Sequence, residues 1–279
     1  MKRILLPTDF SDNSWNAISY ALQLFKDQTC LFTLLHTYTP AIYQLEAAQL
    51  GVAPIGLENA MEESSRNGLN TLQKRIDKTF KNAKHTFSHI AAFNTLTAEI
   101  EALYQGGVMD LIIMGTQGAS GIQEILFGSN TVHVIKNTKC PLLAIPSGFS
   151  YEAPHELLFP SDFQINFEDH HIKPITDLAN HFHARVNILH ISYGNALSEV
   201  QLKNKKKLEA YFEKTAHLFH NVTNTDVPDA INSFQLKSRI NLLVMINNKH
   251  SFFENLFFKS TINHIGFHLN IPFLVIPST

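Results

Sequence analysis

The chain has 279 residues, of which 44% are hydrophobic and 16% charged, with a formal net charge of −2. That length suits one large domain or two ordinary ones, and the apolar share builds a sizeable core, which excludes a disordered chain. The charge argues against a nucleic-acid or membrane-surface protein, whose binding face is basic, and no apolar run approaches the ~20 residues needed to span a bilayer.

Residues 2–7 form a short apolar run that predicts a strand, followed by Thr8, Asp9, Phe10 and Ser11. The opening segment carries two basic residues, but its apolar run stops at Pro7 and no small-residue cleavage site follows, so no secretory leader is expected. Ser11 suits the N-cap of a helix with Trp15, Ile18, Ala21, Leu22 and Phe25 on one stripe. Residues 30–36 (CLFTLLH) predict a second strand, and 37–56, with Pro40 and Pro54, a long loop with some helical content. A helix over 57–80, a strand over 86–92, a helix over 97–104 and a strand over 110–114 follow. After a glycine-rich segment come a helix starting near Asn130 and a last strand over 141–145. Strands alternating with helices imply a parallel sheet with helices on both faces. Cys30 and Cys140 each sit beside an apolar strand; two buried free thiols suit a reducing compartment, so a cytoplasmic protein is expected.

The pattern then starts again. LLFPSDF (157–163) echoes LLPTDF (5–10), NILHISY (187–193) echoes TLLHTY (33–38), NLLVMI (241–246) echoes DLIIMG (110–115), and IPFLVIP (271–277) echoes CPLLAIP (140–146). Four strands echoed in order predict two tandem α/β domains, over 1–148 and 153–279. The second copy is shorter between its second and fourth strands, where the first copy has its long loop.

The segment around which the first copy is organised is GTQGASGIQEILFGS, residues 115–129. Gly115, Gly118 and Gly128, then Ser129, give the pattern G-x2-G-x9-G-[ST] between a strand and a helix start. Glycine permits close approach of a ligand to backbone N–H groups, and a helix N-terminus attracts anions. The loop therefore reads as a cradle for the phosphates of a nucleotide. It contains no lysine or arginine, and no Walker-type G-K-[ST], so any phosphoryl transfer there is expected to be slow.

With the glycine spacing, Asp9 after the first strand and the tandem repeat, the sequence resembles the universal stress protein family over nearly its whole length. The glycine pattern resembles that of the family's ATP-binding branch. The resemblance implies two doubly wound, Rossmann-like domains, similar to adenine nucleotide alpha hydrolases, each a five-stranded, mostly parallel sheet flanked by helices. It implies ATP, with or without Mg, over the C-terminal strand ends. Asp9 would stand near ribose and metal, and Thr37 and Tyr38 near adenine. Met114, Gly115 and Gly118 would line the nucleotide's path, and Gly128, Ser129 and Asn130 would meet the phosphate tail. It also implies that the last strands of the two domains, at 142–145 and 273–276, pair antiparallel as an intramolecular pseudo-dimer, with self-association of two chains left open.

The second copy departs from this pattern. Its loop over 247–260 puts Asn247, His250 and Lys259 at roughly the glycine positions, and carries Phe252, Phe253, Phe257 and Phe258. One nucleotide site is therefore expected, in the first domain, with a degenerate counterpart in the second. The 15 histidines show no zinc-ligand spacing: His264 and His268, His217 and His220, His170 and His171 lack cysteine or carboxylate partners, and His181 and His183 are expected on one side of an extended segment. The basic run 203–207 reads as an exposed helix face. Three functional classes remain: a nucleotide-binding regulatory stress protein, which the residues favour; a slow ATPase; and a structural or small-ligand module without nucleotide.

Overall fold

The computed structural model describes residues 1–38, 57–116, 128–192, 194–223, 225–248 and 270–278. The expected glycine loop from 117 to 127, the long loop from 39 to 56 and the phenylalanine-rich segment from 249 to 269 lie outside the described residues. The chain divides into two compact units, Met1–Cys140 and Pro141–Thr279.

In the first unit, strands β1 (Lys2–Pro7), β2 (Cys30–Thr37), β3 (His85–Ala92) and β4 (Leu111–Gly115) alternate with helices α1 (Asp12–Leu24), α2 (Leu57–Thr79), α3 (Leu96–Gln105) and α4 (Ser129–Asn137). The sheet is parallel throughout, in the order β3-β2-β1-β4. The central strands read as unbroken apolar runs because both faces are covered: all of β4 and the last four residues of β1 are buried. Strand β3 carries only half-buried and exposed residues, as an outer strand does. Helix α1 starts where the hydroxyl pattern placed it: Ser11 is the N-cap and accepts from the Ser14 N–H. Its buried stripe is Ala17, Ile18, Tyr20, Ala21, Leu22 and Leu24. Trp15, expected on that stripe, is instead half-buried, with the Arg75 guanidinium 3.8 Å from its ring centre.

The second unit repeats the plan with β6 (Glu156–Pro160), β7 (Arg185–Ser192), β8 (His217–Thr223), β9 (Leu242–Asn247) and β10 (Phe273–Pro277), and with helices α5 (Asp169–Phe182), α6 (Glu199–Phe212) and α7 (Val227–Ser238). Its order, β8-β7-β6-β9-β10, is again parallel. Strand β5 (Leu142–Ile145) belongs to this unit as well, because it pairs antiparallel with β10, Leu143 opposite Leu274. Compactness therefore divides the chain ahead of the repeat boundary read from the sequence: the last strand of the first copy pairs antiparallel with β10 inside the second unit. Helix α5 contains Pro174, and its C-cap, His183, takes a left-handed conformation with φ 53°. His181 and His183 thus end a helix rather than sharing one side of an extended segment, while His217 and His220 lie on β8. Both cysteines are free and buried, and burial pushes the Cys140 thiol up to about 12. Among the described residues no helix is long and apolar enough to cross a membrane, and no three His, Cys, Asp or Glu side chains converge as a metal site.

Candidate functional site

In the first unit, β1 continues to β2 on one side and is joined by β4 on the other, so the chain reverses its direction of travel between β1 and β4. Open parallel sheets form a crevice at the C-terminal strand ends at such a point. A cleft of about 340 Å³ lies there. It is lined by Pro7, Thr8 and Asp9 after β1, His36 and Thr37 at the end of β2, and Met114 and Gly115 at the end of β4. Gly128, Ser129, Asn130 and Thr131 at the start of α4 complete it, with Ser14 and Leu96.

The turn that delivers Asp9 is strained and heavily tied. Phe10 has φ 62°, a conformation that costs a bulky residue free energy and persists only when its surroundings enforce it. Here the Phe10 N–H donates to Thr8 Oγ1 at 3.0 Å, and the Thr8 N–H to the Leu35 carbonyl at 2.8 Å. Ser11 donates to Asp9 Oδ1 twice, through its hydroxyl at 2.5 Å and its N–H at 3.1 Å. Burial pushes the Asp9 carboxyl up, but the hydrogen bonds from Ser11 and Ser14 outweigh it and hold the group below the usual carboxylate range. The cleft thus presents an ionised carboxylate.

Across the cleft from Asp9, α4 begins at Gly128, an N-cap that has no side chain to bond the first-turn N–H groups. Those donors and the positive end of the helix dipole are available to an anion. Both ends of the glycine-rich segment are fastened: the Gly128 N–H donates to the Thr116 carbonyl at 2.6 Å, and Thr131 Oγ1 donates to the Gly115 carbonyl at 2.9 Å. Gly115 is needed for a steric reason: a Cβ there would lie 3.1 Å from the Asn13 carbonyl oxygen of α1. No lysine or arginine is among the described residues that line the cleft.

His36 completes one wall. Its Nδ1 lies 2.7 Å from Ser65 Oγ on α2, its ring is 4.4 Å from that of Phe10, and burial holds its pKa below the ordinary value despite Asp9.

The structure brings Asp9, Thr37, Met114, Gly115, Gly128, Ser129 and Asn130 together around the cleft. Gly118 lies outside the described residues. Tyr38 is not on the lining: it is buried, its ring stacked toward His36 at 6.4 Å and edge-on to Phe93 at 5.8 Å. Thr8, Ser14 and Thr131 line the cleft without having been singled out in the sequence. Their signal was the hydroxyl itself: Thr8 beside Asp9, Ser14 three residues after the Ser11 cap, and Thr131 two residues after Ser129.

The second unit differs from the first at the equivalent place, the end of β9. The strand register explains part of this. Leu5 pairs with Ile112 in the first unit and Leu158 with Leu243 in the second, which sets Ile246, not Asn247, at the position of Gly115. A branched side chain, buried at 6% exposure, stands where the first unit has none.

Residues 1–146 match a family model described as the universal stress protein family. The chain is 27% identical over 157 residues to universal stress protein MJ0577 of Methanocaldococcus jannaschii, a match covering 52% of this chain and 94% of that protein. It is 28% identical over 150 residues to universal stress protein MJ0531 of the same organism, covering 52% of this chain and 81% of that one. Over its full length it is similar in fold to the crystal structure of a universal stress protein from Archaeoglobus fulgidus, with a TM-score of 0.72 at 17% identity, covering 99% of this chain and 98% of that chain.

Proposed function

The chain belongs to the universal stress protein family, and from that premise we propose that its first unit is an ATP-binding regulatory module with one nucleotide site, in the cleft between β1 and β4. The observation that carries this reading is the pairing of an ionised Asp9 with the uncapped N-terminus of α4 across a cleft rimmed by Thr8, Ser129, Asn130 and Thr131. That combination suits a polyphosphate with a divalent cation: backbone donors for the phosphate oxygens, a carboxylate for the metal or the ribose hydroxyls. Gly128, Ser129 and Asn130 would hold the phosphate tail, Gly115 and Gly118 would let the backbone pass close to it, and Thr37 and Met114 would border the base. Mg would supply the positive charge that the lining side chains lack.

The same lack of lysine and arginine favours regulation over turnover. Phosphoryl transfer needs cationic groups on the transferring oxygens and a positioned nucleophile. A ligand regulates to the extent that it binds one conformation better than another. Hydrolysis is the second reading, and it predicts phosphate release that dies with the cleft.

The test is nucleotide released by heat from the purified chain, together with titration of Mg-ATP into the stripped chain and into Asp9→Asn. Bound ATP or ADP, and an affinity in which Asp9→Asn loses the gain that Mg gives over EDTA, is the expected result. A chain that carries no nucleotide and shows no saturable Mg-ATP binding would overturn the proposal.

A further inference from the structure

The second unit has a cavity of its own, of about 340 Å³, at a different place from the first unit's cleft. It is bounded by Phe163, by Lys205 in the middle of α6, by the end of β7, by the middle of β8 and by the loop at 195–197. We propose that it is a second ligand site, for a small organic acid with a flat apolar body, such as an aromatic carboxylate or phosphate.

One wall is aromatic and fixed. Phe163 is 1% exposed, stacks on His190 with 5.0 Å between ring centres, and lies 6.3 Å from Phe219. Leu197 closes another side. Helix α6 is pinned beside the cavity by two side chains: Asn204 donates to the Phe163 carbonyl and Gln201 to the Asp162 carbonyl, both at 2.9 Å. The volume falls at the lower end of the ~300–1,000 Å³ range of small-molecule sites, which suits a single ring with one or two substituents.

The lining also carries Ser192, Asn195, His220 and Asn221, and two further polar groups define the ligand's chemistry. Lys205, on the pinned stretch of α6, is half-buried on the lining, with Nζ 5.2 Å from the centre of the Phe219 ring. Its neighbours in the basic run behave differently: Lys203 and Lys206 are exposed, and Lys207 donates to Asn166. No aspartate or glutamate lines the cavity, and no ion pair of Lys205 occurs among the described residues. A cation at the mouth of an apolar cavity, over an aromatic face and without a carboxylate, is matched by an anion on the ligand. His190 is the other group. Its Nδ1 lies 3.0 Å from the Ser161 carbonyl, which only accepts, so Nδ1 is the donor of that bond and Nε2 is left as the ring's other polar atom. A ligand hydroxyl would satisfy it.

The first unit is built differently on the equivalent strand faces. There the same space is closed by α2: Ser65 meets His36, Gln73 meets His89 at 3.1 Å, and the Phe10 ring lies over Gly68. By strand register Phe219 stands where the first unit has His89, so a polar bridge to the helix is replaced by a ring that leaves room.

The experiment is calorimetric titration of the full chain with 4-hydroxybenzoate, with phenyl phosphate as a second anion and 4-hydroxybenzyl alcohol as the neutral comparator. Lys205→Met and Leu197→Trp are run beside the wild type, with Mg-ATP binding measured on each. Saturable binding of at least one anion, one per chain, is expected, weakened about tenfold or more by Lys205→Met as befits loss of one charged contact and abolished by Leu197→Trp, with Mg-ATP binding unchanged in both variants. The preferred anion separates a carboxylate ligand from a phosphate one. Absence of saturable binding by either anion, binding that survives both variants, or equal binding of the alcohol would overturn the proposal, whatever the first unit does with nucleotide.

Discussion

Pro7 to Phe10 and Pro160 to Phe163 leave equivalent strands, β1 and β6, by the same turn. In each the N–H of the phenylalanine donates to the hydroxyl two residues earlier, at 3.0 Å from Thr8 and 3.1 Å from Ser161, and the phenylalanine takes a positive φ, 62° and 57°. The residue that follows separates them. After Phe10 comes Ser11, which caps α1 at once and donates to Asp9. After Phe163 comes Gln164, whose side chain cannot cap in that way; the helix waits until Asp169, and Phe167 turns into the core against Phe159. Asp162, half-buried and without a serine hydroxyl, is pushed above the ordinary carboxylate range by burial, against the backbone N–H of Gln164. Asp9 is held below it. Phe163 is sealed in at 1% exposure while Phe10 remains 39% exposed at the cleft side of α2. The hydroxyl after the shared turn therefore separates an aspartate held low from one pushed up, and the register sets a glycine at the end of β4 against a buried isoleucine at the end of β9.

That comparison is broken most forcefully at the phenylalanines. Phe163→Ala should cost about 3–5 kcal/mol, as a large ring removed from a packed core does, and Phe10→Ala well under half of that; denaturant midpoints of the two variants settle it, and equal losses would refute the contrast. Next is the register difference. Gly115→Ile, which gives the first unit the second unit's residue, drives a side chain against the Asn13 carbonyl. It should destabilise by about 1–3 kcal/mol through overpacking and abolish Mg-ATP binding, read by calorimetry.

Ser11→Gln tests the hydroxyl. Loss of the cap should cost about 0.5–2 kcal/mol, and the Asp9 carboxyl, followed by NMR titration, should rise once its Ser11 hydroxyl donor is gone. The smallest effect is on pH dependence, and its sign differs between the units. A raised carboxyl such as Asp162 contributes stability that is full below its unfolded value of 3.8 and is lost as pH rises through the folded value. Asp162→Asn should therefore gain stability at neutral pH, with the gain vanishing below about pH 3.8. Asp9, lowered, contributes above 3.8 and loses that contribution as pH falls through its folded value, so Asp9→Asn should be less stable at neutral pH and converge with the wild type in acid.

Much of this was legible in the sequence, because most of the evidence is periodic or local. The unbroken apolar runs of β1 and β4 announced strands covered on both faces, Ser11 announced the start of α1, and the four echoed strands announced the duplication. The glycine pattern gave Gly115, Gly128, Ser129 and Asn130 their places. What stayed hidden is what tertiary packing decides. Tyr38 follows β2 directly, yet its ring turns between His36 and Phe93. The affiliation of β5 depends on a strand more than a hundred residues away. Lys205 looks like its neighbours in a basic run, and only the fold shows that it alone sits over Phe219.

The central claim is the asymmetry of the two units toward nucleotide, and the most direct measurement is the stoichiometry of Mg-ATP binding to the stripped full-length chain at saturation, repeated on Gly115→Ile and Asp162→Asn. The account predicts one nucleotide per chain, none for Gly115→Ile and one for Asp162→Asn. Two per chain, or one that survives Gly115→Ile, would contradict it.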